Sequence, residues 1–230
     1  MSFDVQLITL TPKLWPILLS ENSGLTGKAF TDGIAALRLF DLRDFGMGSH
    51  KQVDDTPFGG GPGMVLKIEP LHQAIASARQ HLAAPVILLG PRGRRFEQSV
   101  AQSLSQGPGI TLVCGRYEGV DERVYDLVDA EYSIADTVLS AGDPAAWCII
   151  DAVIRLLPGV LGNPQSLERE SFSHGALEYP QYTRPVTYMG QTVPEVLRGG
   201  NHQEINAWRE HMAHEATKLW RPDLLVAQKT

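Results

Sequence analysis

Residues 85–119, PVILLGPRGRRFEQSVAQSLSQGPGITLVCGRYEG, read as strand, helix and strand, with each strand running into a glycine-bearing turn. Val86 to Leu89 and Ile110 to Cys114 are short, continuously apolar runs bounded by Gly and Pro, the pattern of strands buried on both faces. The stretch from Phe96 to Leu104 between them has helical character. Strands that alternate with helices build a parallel sheet with covered faces, so an α/β fold is expected.

Working outward, Phe3 to Leu10 alternates and then turns apolar, a strand entering a core, and Thr11-Pro12 ends it before a helix-like stretch from Lys13 to Leu19. Ala35 to Leu42 predicts a second strand. Arg43 to Gly63 has little periodicity and many Gly, Asp and Pro; so long an irregular loop is more often functional than not. Pro70 to His81 is an amphipathic helix with Leu71, Ala74, Ile75 and Ala78 on one face. A third buried segment, Tyr132 to Leu139, leads through Ser140 to Pro144 into an apolar helix from Ala145 to Leu157, closed by Pro158-Gly159. Three apolar segments thus end in glycine turns, the place where open parallel sheets hold ligands. Beyond them, residues 162–173 are turn-rich and charged, a flexible linker between a domain at 1–161 and a small all-α module at 174–230. That module carries helical stretches at Pro194 to Leu197 and Asn201 to His214, and a tail with Trp220 and Arg221.

Composition narrows the function. The 230 residues have a formal charge of −6, with 43% apolar residues, 22 Gly and 15 Pro, enough for a folded core with prominent loops. Cys114 and Cys148 are too few for a disulfide framework and lack metal-site spacing. The longest apolar run, Leu82 to Leu89, is far short of a membrane span, and the N-terminus has no basic flank, so a soluble cytoplasmic protein is expected. A net acidic chain is not one that coats nucleic acid by bulk charge, but it can carry a locally basic site.

The residues Asp54 to Met64, DDTPFGGGPGM, have the most unusual composition. Gly59, Gly60, Gly61 and Gly63 let a backbone reach positive φ and approach a flat ligand, or serve a plain surface loop. Neither a Walker loop nor a dinucleotide fingerprint is present. The turns after Leu89, Cys114 and Leu139 are either ordinary strand-to-helix punctuation or, together, a backbone-lined pocket for an adenosine-containing ligand. Residues Arg116 to Arg123 fit a salt-bridged helix start equally well. Asp151 and Arg155 stand four apart on one helix face, which suits an ion pair, or frees Arg155 to stabilise an anionic oxygen.

Read in order, VDDTPFGGGPGM (53–64), LVCGRYEGVDERV (112–124), SIADTVLSAGD (133–143), LLPGVLG (156–162), Tyr182 to Pro185 and LRGGNHQEINAWR (197–209) resemble the bacterial tRNA (guanine-N1)-methyltransferase family, TrmD, of the SPOUT class. The resemblance covers essentially the whole chain. It implies methyl transfer from S-adenosylmethionine to N1 of the guanosine at tRNA position 37, a deep trefoil knot in the cofactor half, and a homodimer with active sites at the subunit interface. A magnesium ion is also implied, without assigned ligands. By position, the cofactor site comprises Leu89, Gly90 and Gly93 in the first turn; Gly115, Tyr117 and Glu118 in the second; and Ser133, Ile134, Ala135, Val138, Leu139, Gly142 and Ala145 in the third. Asp54, Gly59, Gly60, Gly61, Pro62 and Gly63 would enclose the flipped guanine. Arg155 matches the arginine at guanine O6, and Glu170 in Glu170-Ser171-Phe172 stands where the family has an aspartate base. Arg184 and Arg209, with Arg198, His202, Lys218 and Arg221, would grip the anticodon stem. Two departures accompany Glu170: Ala135 replaces a glycine, and Asp143 replaces a glutamate expected near the cofactor amine or the magnesium. These departures also admit a catalytically silent SPOUT-like RNA-binding protein.

Overall fold

The computed structural model describes residues 2–163, 166–167, 170–173 and 175–227. They form two compact units, residues 1–162 and 163–230.

In the first unit, β1 (Phe3–Thr9) is followed by a 3-10 turn (Pro12–Leu14), α1 (Trp15–Leu18), α2 (Gly24–Thr31) and β2 (Ala35–Asp41). A short ribbon, β3 (Asp54–Asp55) and β4 (Val65–Leu66), brackets the glycine loop, and α3 (Ile68–His81) follows. Next come β5 (Val86–Arg95), α4 (Gln98–Ser105), β6 (Gly109–Cys114), a 3-10 segment (Glu122–Leu127), β7 (Ala130–Ser133) and α5 (Asp143–Ile154). The five long strands pair in parallel in the order β2-β1-β6-β5-β7.

Side chains alternate across this sheet with period two. Ile87, Leu89, Ile110, Leu112 and Cys114 face one core with Trp15, Ala146, Ile149, Ile150 and Val153; Val86, Leu88 and Val113 face the other with Leu71, Ala74, Ile75 and Ala78 of α3. Both faces are covered, which is why the central strands are largely apolar, and the buried polar pair among them is mutually satisfied, Thr111 Oγ1 donating to Gln6 Oε1 at 3.1 Å. The apolar α5 is packed against α2, α4 and β6, and only a narrow line through Pro144, Cys148 and Asp151 is exposed.

The predicted third buried segment is corrected. Only Ala130–Ser133 is a strand, half-buried at the sheet edge, and the chain from Ile134 to Gly142 is irregular, with Val138 85% exposed. Likewise β5 does not end at Leu89. Leu89 and Arg94 both lie opposite Tyr132, so the residues between them loop out and the strand resumes.

The second unit holds β8 (Thr187–Tyr188) and β9 (Gln191–Thr192) in an antiparallel hairpin, then α6 (His202–Trp220) and α7 (Pro222–Ala227). The hairpin modifies the all-helical expectation, and α6 runs beyond the predicted His214. Asn201 caps α6, its side-chain oxygen accepting from Gln203 N at 3.1 Å. Among the described residues no helix is long and apolar enough to cross a membrane.

Candidate active site

Around the looped-out stretch of β5 and the carboxyl ends of β6 and β7, the three turns enclose a cavity of about 280 Å³. Its wall includes Leu89 and Gly90 from the first turn, Gly115, Tyr117 and Glu118 from the second, and Ser133, Ile134, Val138, Leu139, Gly142 and Ala145 from the third. Eleven of the thirteen residues predicted for a cofactor therefore share one cavity. Gly93 and Ala135 are not on its wall. A Cβ on Gly93 would come within 2.6 Å of the Glu131 backbone, so this glycine serves the β5–β7 approach. The Ala135 carbonyl accepts from Ser133 Oγ and Thr137 N, both at 2.8 Å, and braces the third turn from behind.

Backbone closeness dictates the small residues. Gly142 N donates to Gly115 O at 2.7 Å, and a Cβ on Gly142 would sit 2.7 Å from Gly115 N and 2.8 Å from Cys114 Cα. The second and third turns are thus clasped main chain to main chain. Tyr117 adopts φ 59°, a left-handed conformation that non-glycine residues seldom hold outside functional or tightly constrained loops. A wall of backbone groups and small residues suits a flat ligand with hydrogen-bonding edges.

Several wall residues were not singled out for the cavity from sequence. Arg92, Arg116, Tyr125, Glu131 and Thr137 all line it. Arg92 forks onto Glu122 at 2.8 and 3.1 Å and lies 4.9 Å over the Tyr125 ring, whose hydroxyl donates to Glu131 Oε1 at 3.2 Å. The hydrogen bond to Arg92 holds the Glu122 carboxyl below its usual range, whereas burial pushes Glu131 up. Arg116 has its Nε buried without a hydrogen-bond partner. The signal that could have found Arg92 and Arg116 is their place directly after buried strands. Elsewhere in that motif, Asp121 pairs with Arg123 at 2.8 Å and caps the following 3-10 segment, as a salt-bridged helix start would.

Asp143, which stands where the family has a glutamate, is not on the cavity wall. It is 2% exposed, and its Oδ1 accepts from Thr9 Oγ1 at 2.6 Å, Thr11 Oγ1 at 2.8 Å and Trp15 Nε1 at 3.1 Å. The shorter side chain turns inward and fastens the start of α5 to the end of β1. Together with burial, its charge raises the Cys114 thiol well above the usual range.

The glycine loop abuts the second turn. Glu118 N donates to Met64 O at 3.0 Å, Leu66 N to Gly119 O at 3.0 Å and Asp121 N to Leu66 O at 2.9 Å. Gly63, at φ +81°, lies where a Cβ would strike the Glu118 side chain at 2.4 Å. Gly59, Gly60 and Gly61 have φ of +87°, +78° and +127°, and they and Pro62 are exposed beside a fully exposed Phe58. Asp54 is half-buried opposite Leu66.

Arg155 caps the far end of α5 and is half-buried. Ten residues separate it from Ala145 on the cavity wall, about 15 Å along a helix axis. Asp151 accepts a hydrogen bond from Thr26 Oγ1. In the second unit, the Glu170 carbonyl accepts from Ser173 Oγ at 2.7 Å, and Ser171 Oγ accepts from Glu178 N at 2.9 Å, so this stretch is tied into local turns. Arg184 is exposed; Arg209 lies 4.9 Å over the Tyr179 ring with its Nε buried, and Arg221 pairs with Asp223 at 2.7 Å. Among the described residues no three His, Cys, Asp or Glu side chains converge to cage a metal ion.

Residues 1–227 match the family model described as tRNA (Guanine-1)-methyltransferase TrmD. The chain is 50% identical over 225 residues to the tRNA (guanine-N(1)-)-methyltransferase of Ruegeria pomeroyi, covering 96% of this chain and 92% of the relative. It is 50% identical over 227 residues to that of Geobacter sulfurreducens, covering 98% and 91%. The protein of the same description from Caldanaerobacter subterraneus is 48% identical over 225 residues, covering 98% and 92%.

Proposed function

The chain belongs to the tRNA (guanine-1)-methyltransferase TrmD family, and from that membership we infer that it transfers a methyl group to N1 of a guanosine in tRNA. Within that activity we propose S-adenosylmethionine as donor, the guanosine at position 37 as acceptor, and the three-turn cavity as the donor site. The clasp of Gly142 on Gly115 is the observation that carries the donor assignment, because it brings two turns main chain to main chain so closely that a Cβ on Gly142 would strike the Gly115 and Cys114 backbone, leaving backbone groups to line the cavity.

The donor supplies an electrophilic methyl group when bound. The chain's own residues must orient it and prepare guanine N1. Glu170 is the proposed base: its carboxylate takes the N1 proton, which leaves negative charge on guanine O6. Arg155 stabilises that charge, a cation that favours the transition state over the ground state. The glycine loop and Asp54 would receive the base once it leaves the stack. Arg184 is the proposed contact to the anticodon stem, and Arg209 contributes through the Tyr179 surface it braces.

A homodimer belongs to this reading. Its support is the roughly 15 Å of helix between Arg155 and the cavity wall of its own subunit, a gap that Arg155 of a second copy would fill. The deep knot in the first unit is likewise proposed from the resemblance; the return of α5 onto β6 after the clasped turns supports it. The cytoplasm is the proposed compartment, as the place where tRNA is modified.

Labelled S-adenosylmethionine and tRNA transcripts differing only at position 37 test the reading. Label is expected in the guanosine transcript and absent from its adenosine counterpart. Binding of tRNA with no transfer would establish the catalytically silent RNA-binding alternative.

A further inference from the structure

Glu131, the second residue of β7, is a cavity-wall carboxyl that the mechanism above leaves unused. It is fixed from behind by a relay: Glu122 grips Arg92, Arg92 covers the Tyr125 ring, and the Tyr125 hydroxyl donates to Glu131 Oε1 at 3.2 Å. In front, it sits against the first turn, where a Cβ on Gly90 would lie 2.3 Å from Oε1. The absent side chain at Gly90 is what gives this carboxyl its place. Tyr125 occupies one acceptor position, and acceptor capacity remains on both oxygens.

We propose that Glu131 recognises the ribose of the methyl donor, accepting hydrogen bonds from its vicinal 2′- and 3′-hydroxyls. This assignment rests on the reading that the cavity holds S-adenosylmethionine. Two oxygens fixed on one carboxyl match two adjacent hydroxyl donors, and an acidic side chain lining the crevice of a parallel sheet is a recurrent partner of a ribose in α/β nucleotide sites. The sulfonium is a poor alternative. Its charge vanishes as the methyl leaves, so a carboxylate against it would stabilise the ground state and slow transfer. The amino-acid end finds a better partner on the second turn, where Arg116 has a buried Nε without a partner and would hold the carboxylate. Burial raises the Glu131 carboxyl despite the Tyr125 bond and the pull of Arg92, in keeping with a recess built for neutral hydroxyl donors.

Calorimetric titration of the full chain with S-adenosylhomocysteine and its 2′-deoxy and 3′-deoxy counterparts tests the assignment. In the wild type, each deoxy compound should bind roughly tenfold more weakly, the scale of one hydrogen bond to a charged acceptor. Glu131→Ala should weaken the parent compound by at least that factor and then be indifferent to either hydroxyl, a coupling that a double-mutant cycle isolates. Glu131→Gln, which keeps an acceptor oxygen, should retain part of the parent affinity and remain sensitive to hydroxyl removal. Equal hydroxyl losses in wild type and Glu131→Ala would overturn the assignment, as would a wild type indifferent to both hydroxyls. So would a Glu131→Ala defect confined to S-adenosylmethionine with S-adenosylhomocysteine unaffected, which would point to the sulfonium. Failure of the wild type to bind the parent compounds at all would overturn the donor-site reading itself.

Discussion

Asp143 carries more of the site than its absence from the cavity wall suggests. Three donors from Thr9, Thr11 and Trp15 meet on its Oδ1, and the residue before it is the glycine that clasps the second turn. Asp143→Ala strands all three donors in the core, and a loss of about 2–4 kcal/mol in urea-unfolding free energy is expected. Asp143→Asn keeps the accepting oxygen and should lose less than half as much, with donor affinity falling further than tRNA affinity in both variants. Glu170 is a different case, since its proposed role is in the chemistry. In single-turnover assays Glu170→Ala should slow methyl transfer by roughly 100-fold or more, while Glu170→Asp retains most of the rate; a wild-type rate in the alanine variant would eliminate it as base. At this scale the glycines were legible because turns limit which residues fit. The inward turn of Asp143 and the recess of Glu131 were not, because a side chain's direction depends on Thr9, Trp15 and Gly90, far away in the chain.

Elements with strong periodicity were legible, and those built by pairing were not. β1, β2, β6, α3 and α5 lie within a few residues of where their apolar patterns put them. The ribbon of β3 and β4 escaped notice because each strand has only two residues and is held by bonds to the second turn rather than by its own pattern. α2 went unseen for a related reason: Thr26, Gly27 and Ala29 are its buried face, and small or polar residues give no amphipathic signal. β7 was overextended because Val138 and Leu139 are apolar yet line a cavity and its mouth. The segment between β6 and β7 also carries a pH dependence. Glu122 and Asp121 have carboxyls held below their ordinary values, by Arg92 and Arg123 respectively, so their pairs favour the folded state above the unfolded carboxyl range and lose that advantage as the pH falls through the depressed folded values. The stability difference between the wild type and Arg92→Gln should therefore be present at neutral pH and shrink below about pH 4. Denaturant titrations across that range measure it, and a difference that grew in acid would contradict the pairing.

For the molecule as a whole, the charge of −6 is unevenly spread. Residues 163–230 carry seven Lys and Arg against eight Asp and Glu, a net of −1, so tRNA selection is expected to rest on shape and a few placed cations rather than on bulk charge. Arg184→Ala should weaken tRNA binding and flatten its salt dependence, by about one phosphate contact. The proposed shared active site has a sharper test. Arg155→Ala and a Gly142→Val variant, in which the clasp of the second and third turns is broken, should each be inactive, yet mixing them with subunit exchange should restore about a quarter of wild-type activity, because half the dimers then hold one complete site. No recovery after confirmed exchange would place each site within one subunit. The exposed tip of the glycine loop has a practical consequence too. Phe58 stands fully in solvent beside three glycines, the kind of bond that chymotrypsin reaches first in a folded protein. On the proposed role of this loop, its cleavage rate becomes a clock for loop occupancy, readable on a gel, that should slow when tRNA is bound and keep ticking when only the donor is present.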